Sequence, residues 1–310
     1  MKILVIFTGG TIGSTTKGKW TSLDGGTNFA LIEGYLDNHS ENIELVTRSP
    51  YSILSENITA AQFNLLTHSV LEALGEDFDG IIVTHGTDTL QYSAAALSAA
   101  LPDLKVPVVL VSSNYPLSYE ATNGHINFEA AVEYIKQGKA PCVVAAYKNS
   151  RDSFVTYHLG DRIYSHLEND DALYSLGLDP YGKYENGVIT LYDEAPAPAG
   201  QNKAVTLVEN PGITVITATP ADGYAYALEG VKAVILRPYH SGTLNTASPA
   251  LKAFCQKAKE QGVALYTLSA GLEADYDSTS VFAQYGIKVL PRTTFPTAYM
   301  KLWQEISEKY

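Results

Sequence analysis

The chain alternates between short runs of consecutive apolar, β-branched residues and longer segments in which Ala and Leu recur at helical spacing. Three of the runs read as strands: Ile3 to Phe7, Gly80 to Thr84, and Val106 to Val111. Their unbroken hydrophobicity is what parallel strands need when helices cover both faces of a sheet. Helical segments fall around and after them. One opens at Thr59-Ala60-Ala61-Gln62-Phe63, with Thr59 in the N-cap position and Gln62 where it can bond back to it. A second runs from Thr89 to Leu101, and a third from Asn127 to Gln137, stopped by Gly138. Strand and helix in alternation predict βαβ units with right-handed crossovers. The fold class is therefore α/β, with a doubly wound, mostly parallel sheet.

The pattern breaks between about Leu191 and Gly212, where Asp193 to Asn202 is rich in Pro, Ala and Gly and poor in large apolar residues. Beyond it the alternation resumes. Gly212 to Ile216, Val231 to Leu236 and Gly262 to Tyr266 read as strands, and Pro249 to Gln261 as a helix. At 310 residues the chain exceeds the size at which one core usually stops growing. The expected organisation is an N-terminal α/β domain over 1–190, a linker over 191–211 and a smaller α/β domain over 212–310. The tyrosine-rich stretch from Tyr147 to Tyr192 fits none of these patterns well. It reads as a partly buried, hydrogen-bonded polar surface or an interface.

Charge narrows the partners. A formal net charge of -12 would repel a phosphate backbone, so no nucleic acid is expected. No apolar run approaches the roughly 20 residues that cross a bilayer, so no membrane is expected either. The run Ile3 to Phe7 is too short for the apolar region of a secretory signal. Cys142 and Cys255 lack metal-type spacing and read as ordinary thiols of a reducing compartment. A cytoplasmic location follows as the expectation.

Two loops carry candidate chemistry. Thr8-Gly9-Gly10-Thr11-Ile12-Gly13 follows the first strand directly, and Thr84-His85-Gly86-Thr87-Asp88-Thr89 follows the Gly80 strand and opens a helix. The carboxyl ends of parallel strands border the crevice in which open α/β sheets bind ligands. Paired glycines permit φ > 0 and close approach, and a hydroxyl among free backbone N–H groups can serve as a nucleophile beside an oxyanion site. Asp88 beside a helix N-terminus stays ionised and suits an ammonium group. Each loop can equally be a capped turn, Thr87 or Asp88 being ordinary N-cap residues. Two threonine-rich loops at successive strand ends favour a shared site.

The pair Thr8-Gly9-Gly10-Thr11-Ile12 and His85-Gly86-Thr87-Asp88-Thr89 resembles the two signatures of the bacterial-type L-asparaginase/glutaminase family. Ser52 to Thr59 resembles the substrate loop between them. Leu236 to Gly242 and Tyr276 to Leu302 resemble the family's C-terminal domain. The resemblance implies two α/β domains, a homodimer or homotetramer, a small amino-acid amide as substrate, and neither metal nor organic cofactor. It implies Thr11 as nucleophile, Thr87 as the second essential hydroxyl, Ser55 on the substrate α-carboxylate and Asp88 on its α-ammonium. Gly10, Gly86 and Glu56 fall in the same substrate-binding loops. The implied reaction passes through a threonyl acyl-enzyme and yields ammonia and the acid. The related subunit of a tRNA-dependent amidotransferase normally carries an extra N-terminal domain, whereas here the threonine motif starts at residue 8.

The sequence departs from that family at three points, one of them the variant loop Val111 to Leu117 after the third strand. No lysine stands between Lys148 and Lys183, where the family places one to complete a relay with the second threonine. Trp20 stands where the family has a tyrosine, and an indole N–H donates but cannot accept a proton. The candidate proton acceptors are Lys17, His158 and His166, a histidine being favoured because it fills the stretch of the missing lysine. A non-catalytic amino-acid-binding protein, with Ser55 and Asp88 kept and the relay lost, is the alternative.

Overall fold

A computed structural model describes residues 1–17, 20–23, 27–40, 42–196, 201–271 and 276–309, with side chains outside 16–17, 20–23 and 27–29. The chain divides into two compact units, Met1–Leu207 and Val208–Tyr310. The first begins with β1 (Lys2–Phe7), the pair β2 (Ser14–Lys17) and β3 (Trp20–Leu23), α1 (Thr27–Asn38) and β4 (Glu44–Arg48). Then come α2 (Ala60–Ala73), β5 (Gly80–Thr84), α3 (Leu90–Ala100), β6 (Val108–Val111), α4 (Gly124–Lys136) and β7 (Val143–Tyr147). The unit closes with β8 (Val155–Leu159), β9 (Gly182–Glu185) and β10 (Val188–Leu191).

Eight of these strands form one sheet in the order β10-β9-β8-β7-β6-β5-β1-β4. β4, β1, β5, β6 and β7 are mutually parallel, whereas β8, β9 and β10 add antiparallel neighbours at one end. After β1 the chain places β4 on one side and then returns to place β5 on the other. The strand order thus reverses between β1 and β5, and their carboxyl ends border the crevice that such a reversal opens.

Residue parity along β1 assigns the two faces. Ile3, Val5 and Phe7 join Leu31 and Tyr35 of α1 and Phe128 and Tyr134 of α4 in one core. Leu4 and Ile6 join Leu66 and Val70 of α2 and Leu90 and Leu97 of α3 in the other. The sheet is doubly wound, as the apolar runs predicted. The capping pair at α2 is formed: Thr59 Oγ1 accepts the Ala61 N–H at 3.3 Å and Gln62 Oε1 accepts the Thr59 N–H at 3.1 Å. This cap begins α2 within two residues of the Ser55–Asn57 turn.

The tyrosine-rich stretch is partly core and partly surface, with Tyr164, Tyr174 and Tyr192 exposed. Tyr147, Tyr157, Tyr181 and Tyr184 are buried, since β8 and β9 continue the sheet and lay their rings on α4 and neighbouring strands. The Tyr157 hydroxyl donates to the Ala130 carbonyl at 2.7 Å, and that of Tyr184 to Glu129 Oε1 at 2.5 Å. The Pro/Ala/Gly stretch is anchored on the first unit where it is described. Asn202 exchanges two hydrogen bonds with the Asp103 backbone at 2.8 and 2.7 Å, and Lys203 N–H donates to the Ala100 carbonyl at 2.8 Å. Residues 197–200 lie outside the described residues.

The second unit has a four-stranded parallel sheet in the order β11 (Ile213–Thr217), β12 (Ala233–Arg237), β13 (Ala264–Leu268), β14 (Ile287–Leu290). α5 (Pro249–Glu260) covers one face through Leu251 and Phe254, and α6 (Phe295–Ser307) the other through Leu302 and Ile306. Among the described residues no helix is long and apolar enough to cross a membrane.

Candidate active site

The site begins where β1 ends. Gly9 and Gly10 adopt φ of 99° and 78°, turning the chain sharply into a short 3₁₀ turn over Thr11–Gly13. Gly13 N–H and Ser14 Oγ both donate to the Gly10 carbonyl, at 3.0 and 2.7 Å, and fix the turn that carries Thr11. Thr11 is half-buried.

Backbone contacts draw three loops onto one another. Ile53 N–H donates to the Thr8 carbonyl at 3.1 Å and the Ile53 carbonyl accepts from Gly10 N–H at 2.9 Å, so the loop before α2 runs along the end of β1. Thr8 Oγ1 donates to the Thr84 carbonyl at 2.7 Å, tying the ends of β1 and β5. Beyond these, Gly10 and Gly86 meet backbone to backbone. A Cβ on Gly10 would overlap the Gly86 Cα and N, and a Cβ on Gly86 would overlap the side chain of Ser55. Gly86 has an ordinary extended conformation, with φ -78° and ψ 148°, so its requirement for glycine is purely one of space.

Past Gly86 a second 3₁₀ turn, Thr87–Thr89, leads into α3. Ser55 Oγ donates to Asp88 Oδ2 at 3.3 Å, Thr89 Oγ1 donates to the Ser55 carbonyl at 3.0 Å, and Gln91 Nε2 donates to the Asp88 carbonyl at 2.8 Å. The three loops are thereby fixed relative to one another, with Ser55 buried and Asp88 exposed.

His85 supports the second loop from below. It is buried, its Nδ1–H donates to the Gly86 carbonyl at 2.8 Å, and Nε2 accepts from Ser93 Oγ at 2.8 Å. Its own carbonyl accepts from Ser112 Oγ at 2.7 Å, which ties in β6. Burial pushes its pKa down to about 4, partly offset by the bond to Gly86, so the imidazole is neutral.

A polar cleft of about 590 Å³ opens over this arrangement. Thr87, Asp88, Gln91 and Tyr92 form one side, and His166, Asp170 and Asp171, with their neighbours in 165–171, the other. Gln91 and Tyr92 are additions to the residues expected there. They lie three and four residues after Asp88 and so repeat its face on the first turn of α3, a spacing the sequence does contain. Thr11 and Glu56 are not among the residues lining the cleft, and Glu56 is exposed on the Ser55–Asn57 turn. No group of three or more acidic, His or Cys side chains able to hold a metal occurs among the described residues.

The two candidate histidines separate. His166 lines the cleft. His158 is buried on β8 with both nitrogens engaged, to Thr156 Oγ1 and Ser175 Oγ, each at 2.8 Å. Burial, with a smaller contribution from His166, pushes its pKa down to about 3, so His158 is a neutral packing residue without access to the cleft. The side chains of Lys17 and Trp20 lie outside the described residues.

Comparison with known proteins adds three findings. A family model described as "Asparaginase, N-terminal" matches residues 2–196. The chain is 29% identical over 252 residues to a subunit of the glutamyl-tRNA(Gln) amidotransferase of Methanosarcina mazei, covering 79% of this chain and 59% of that protein. It is 28% identical over 221 residues to the corresponding subunit of Haloquadratum walsbyi, covering 70% and 50%. The chain thus spans about half the length of the curated relatives it matches. Among solved structures, it resembles L-asparaginase I from Vibrio cholerae with a TM-score of 0.82 at 24% identity, covering 100% of this chain and 93% of that one. It resembles the thermostable L-asparaginase from Thermococcus kodakarensis with a TM-score of 0.80 at 20% identity, covering 99% and 96%. At these identities the structural likeness establishes the fold.

Two measurements check this geometry. Gly10→Ala incurs both a left-handed φ and a backbone overlap, so it should lower the urea midpoint by the equivalent of about 1–3 kcal/mol or more. Gly86→Ala, whose Cβ meets the Ser55 Oγ and Cβ and comes within 3.2 Å of the Gly10 Cα but has no φ cost, should lower it less; the reverse order would refute the contact. Second, folding lowers the pKa of His85 and His158, so the unfolded chain binds more protons than the folded one below about pH 6.5. Their contribution to stability is complete above that pH. It declines as pH falls toward about 4 and 3, by up to about 1.4 kcal/mol per pH unit for each histidine. Urea midpoints taken from pH 7 to 4.5 should show the decline, and a flat profile would exclude two buried neutral imidazoles.

Proposed function

The chain belongs to the asparaginase family of amidohydrolases, and on that basis we propose that it hydrolyses the side-chain amide of L-asparagine to aspartate and ammonia. The observation that carries this reading is the Ser55–Asp88 contact at 3.3 Å, whose Asp88 lines the cleft. An α-amino acid presents its carboxylate and its ammonium on one carbon, so the groups that grip them must be neighbours of opposite character. Ser55 supplies a donor for the carboxylate and Asp88 a charge for the ammonium. Gripped at that end, the substrate extends its amide toward the threonine turns that meet at Gly10 and Gly86.

Thr11 Oγ1 attacks the amide carbon, the C–N bond breaks, and ammonia leaves with the proton gained by the nitrogen. The resulting threonyl ester is then opened by water, which returns the hydroxyl to Thr11 and frees aspartate. Thr87 is the second hydroxyl and moves a proton during these steps. Glutamine and the D-isomer share the gripped end and differ only in how the amide is presented. No metal or organic cofactor enters the scheme. The working form is a homodimer or homotetramer in the cytoplasm, a location with which the two free, buried cysteines agree.

A second reading is supported by the curated relatives, which are subunits of glutamyl-tRNA(Gln) amidotransferases. In it the same chemistry releases ammonia for a partner rather than into solution. With a net charge of -12, contacts to RNA would have to come from that partner. The purified protein distinguishes the readings. Incubated alone with millimolar L-asparagine it should release ammonia; release only after a partner is added favours the amidotransferase, and asparagine binding without release favours a non-catalytic binding protein.

Thr11→Ala should fold and lose turnover by a factor on the order of 10³ or more, and unchanged ammonia release would remove Thr11 from the scheme. Asp88→Asn should be strongly impaired on asparagine, yet match the parent on succinamic acid, which has no ammonium group. A comparable loss on both substrates would transfer Asp88 from gripping to catalysis or structure.

A further inference from the structure

Resting on the amidase reading of the cleft, we infer that His166 is the proton acceptor that works on Thr87. Of the described side chains lining the cleft with Thr87, His166 is the one imidazole. The others are carboxylates, a phenol, amides, a hydroxyl and an aliphatic chain. Its tautomer suits the task. Nδ1–H donates to the Ala172 carbonyl at 3.0 Å, which leaves Nε2, at the other side of the ring, with its lone pair. A base whose far nitrogen is held by a fixed acceptor is both oriented and correctly protonated.

The ring is held by more than that bond. Tyr147 of β7 meets it edge-on, with centroids 6.4 Å apart. The segment carrying it is closed at its base by the Ile163–Ser175 bridge and by Tyr164 N–H donating to the Tyr174 carbonyl at 3.0 Å. Within the segment, Asp170 Oδ1 accepts the Ala172 N–H at 2.9 Å, and Asp171 Oδ2 accepts from Ser150 Oγ at 2.7 Å and Asn114 Nδ2 at 3.2 Å. The titratable groups around the ring come from each neighbouring element. They are Asp88 from the turn before α3, Tyr92 from α3, Tyr147 from β7, the neutral His158 from β8, and Asp170 and Asp171 from its own segment. Asp88, Asp170 and Asp171 share the cleft with the ring, and no lysine or arginine is among the described residues that line it.

The proton balance closes over the hydrolysis of the ester. As water attacks the ester carbon, its proton passes to Thr87 Oγ1 while the Thr87 proton passes to His166 Nε2. When the bond from the carbonyl carbon to Thr11 Oγ1 breaks, the proton returns from Nε2 by way of Thr87 to the departing oxygen. The imidazole ends neutral, and the net reaction is hydrolysis alone.

The test uses the whole chain with L-asparagine. His166→Asn keeps a side-chain N–H for the Ala172 carbonyl and removes the base, so it should fold like the parent by thermal melting and lose kcat by a factor on the order of 10²–10⁴ with KM little changed. The parent's kcat/KM should fall on acidification, and that limb should vanish in the variant. Added imidazole should restore part of the activity of His166→Ala, in proportion to its free-base form. An active parent with His166→Asn equal to it in rate and pH profile would overturn the role of His166 and leave the amidase reading intact. A parent that releases no ammonia would overturn both.

Discussion

Two backbones can touch only where neither carries a Cβ between them, and the candidate site uses that condition at Gly10 and Gly86. β1 and β5 are parallel neighbours, so their carboxyl ends emerge on the same side of the sheet. Their following loops would nonetheless diverge if each followed its own helix, and the glycine contact holds them together. Ser55 then seats against Gly86, and Asp88 against Ser55. Each step of the site is built on the previous one.

What holds that contact is a set of polar groups buried beneath it. Thr8 joins the ends of β1 and β5, Ser112 and His85 join β5 to β6, and His85 holds the Gly86 carbonyl. A buried hydroxyl or imidazole left without a partner costs on the order of 1–3 kcal/mol, so these groups resist any loop arrangement that would separate them. Satisfied, they contribute direction more than stability. Keeping His85 neutral is the condition, because a proton on it would charge a site with no carboxylate among its hydrogen-bond partners.

The cleft above has the opposite character. Its charged groups are the carboxylates of Asp88, Asp170 and Asp171, and it opens to solvent through an exposed Asp88. A wet acidic mouth attracts an ammonium group at little desolvation cost, whereas the buried Ser55 beside it supplies a directional bond. In the proposed reading, binding and orientation belong to different depths of one site.

The strands from Ile3, Gly80 and Val106, the cap at Thr59 and the helix from Pro249 are legible in the sequence because each depends on residues within a few positions of one another. The two threonine loops are legible for the same reason: glycines, hydroxyls and an acid stand together where a strand ends. The tyrosine-rich stretch is legible only in part, because alternation that looks half-polar locally is buried once antiparallel β8 and β9 extend the sheet and α4 covers them. Nor can spacing separate His158 from His166. They are eight positions apart in similar company, yet strand pairing buries the first between Thr156 and Ser175 while a loop turns the second into the cleft with Thr87. Local order determines which elements form and which chemical groups are available. Long-range pairing decides which of those groups meet water, because burial and contact are properties of residues distant in the chain.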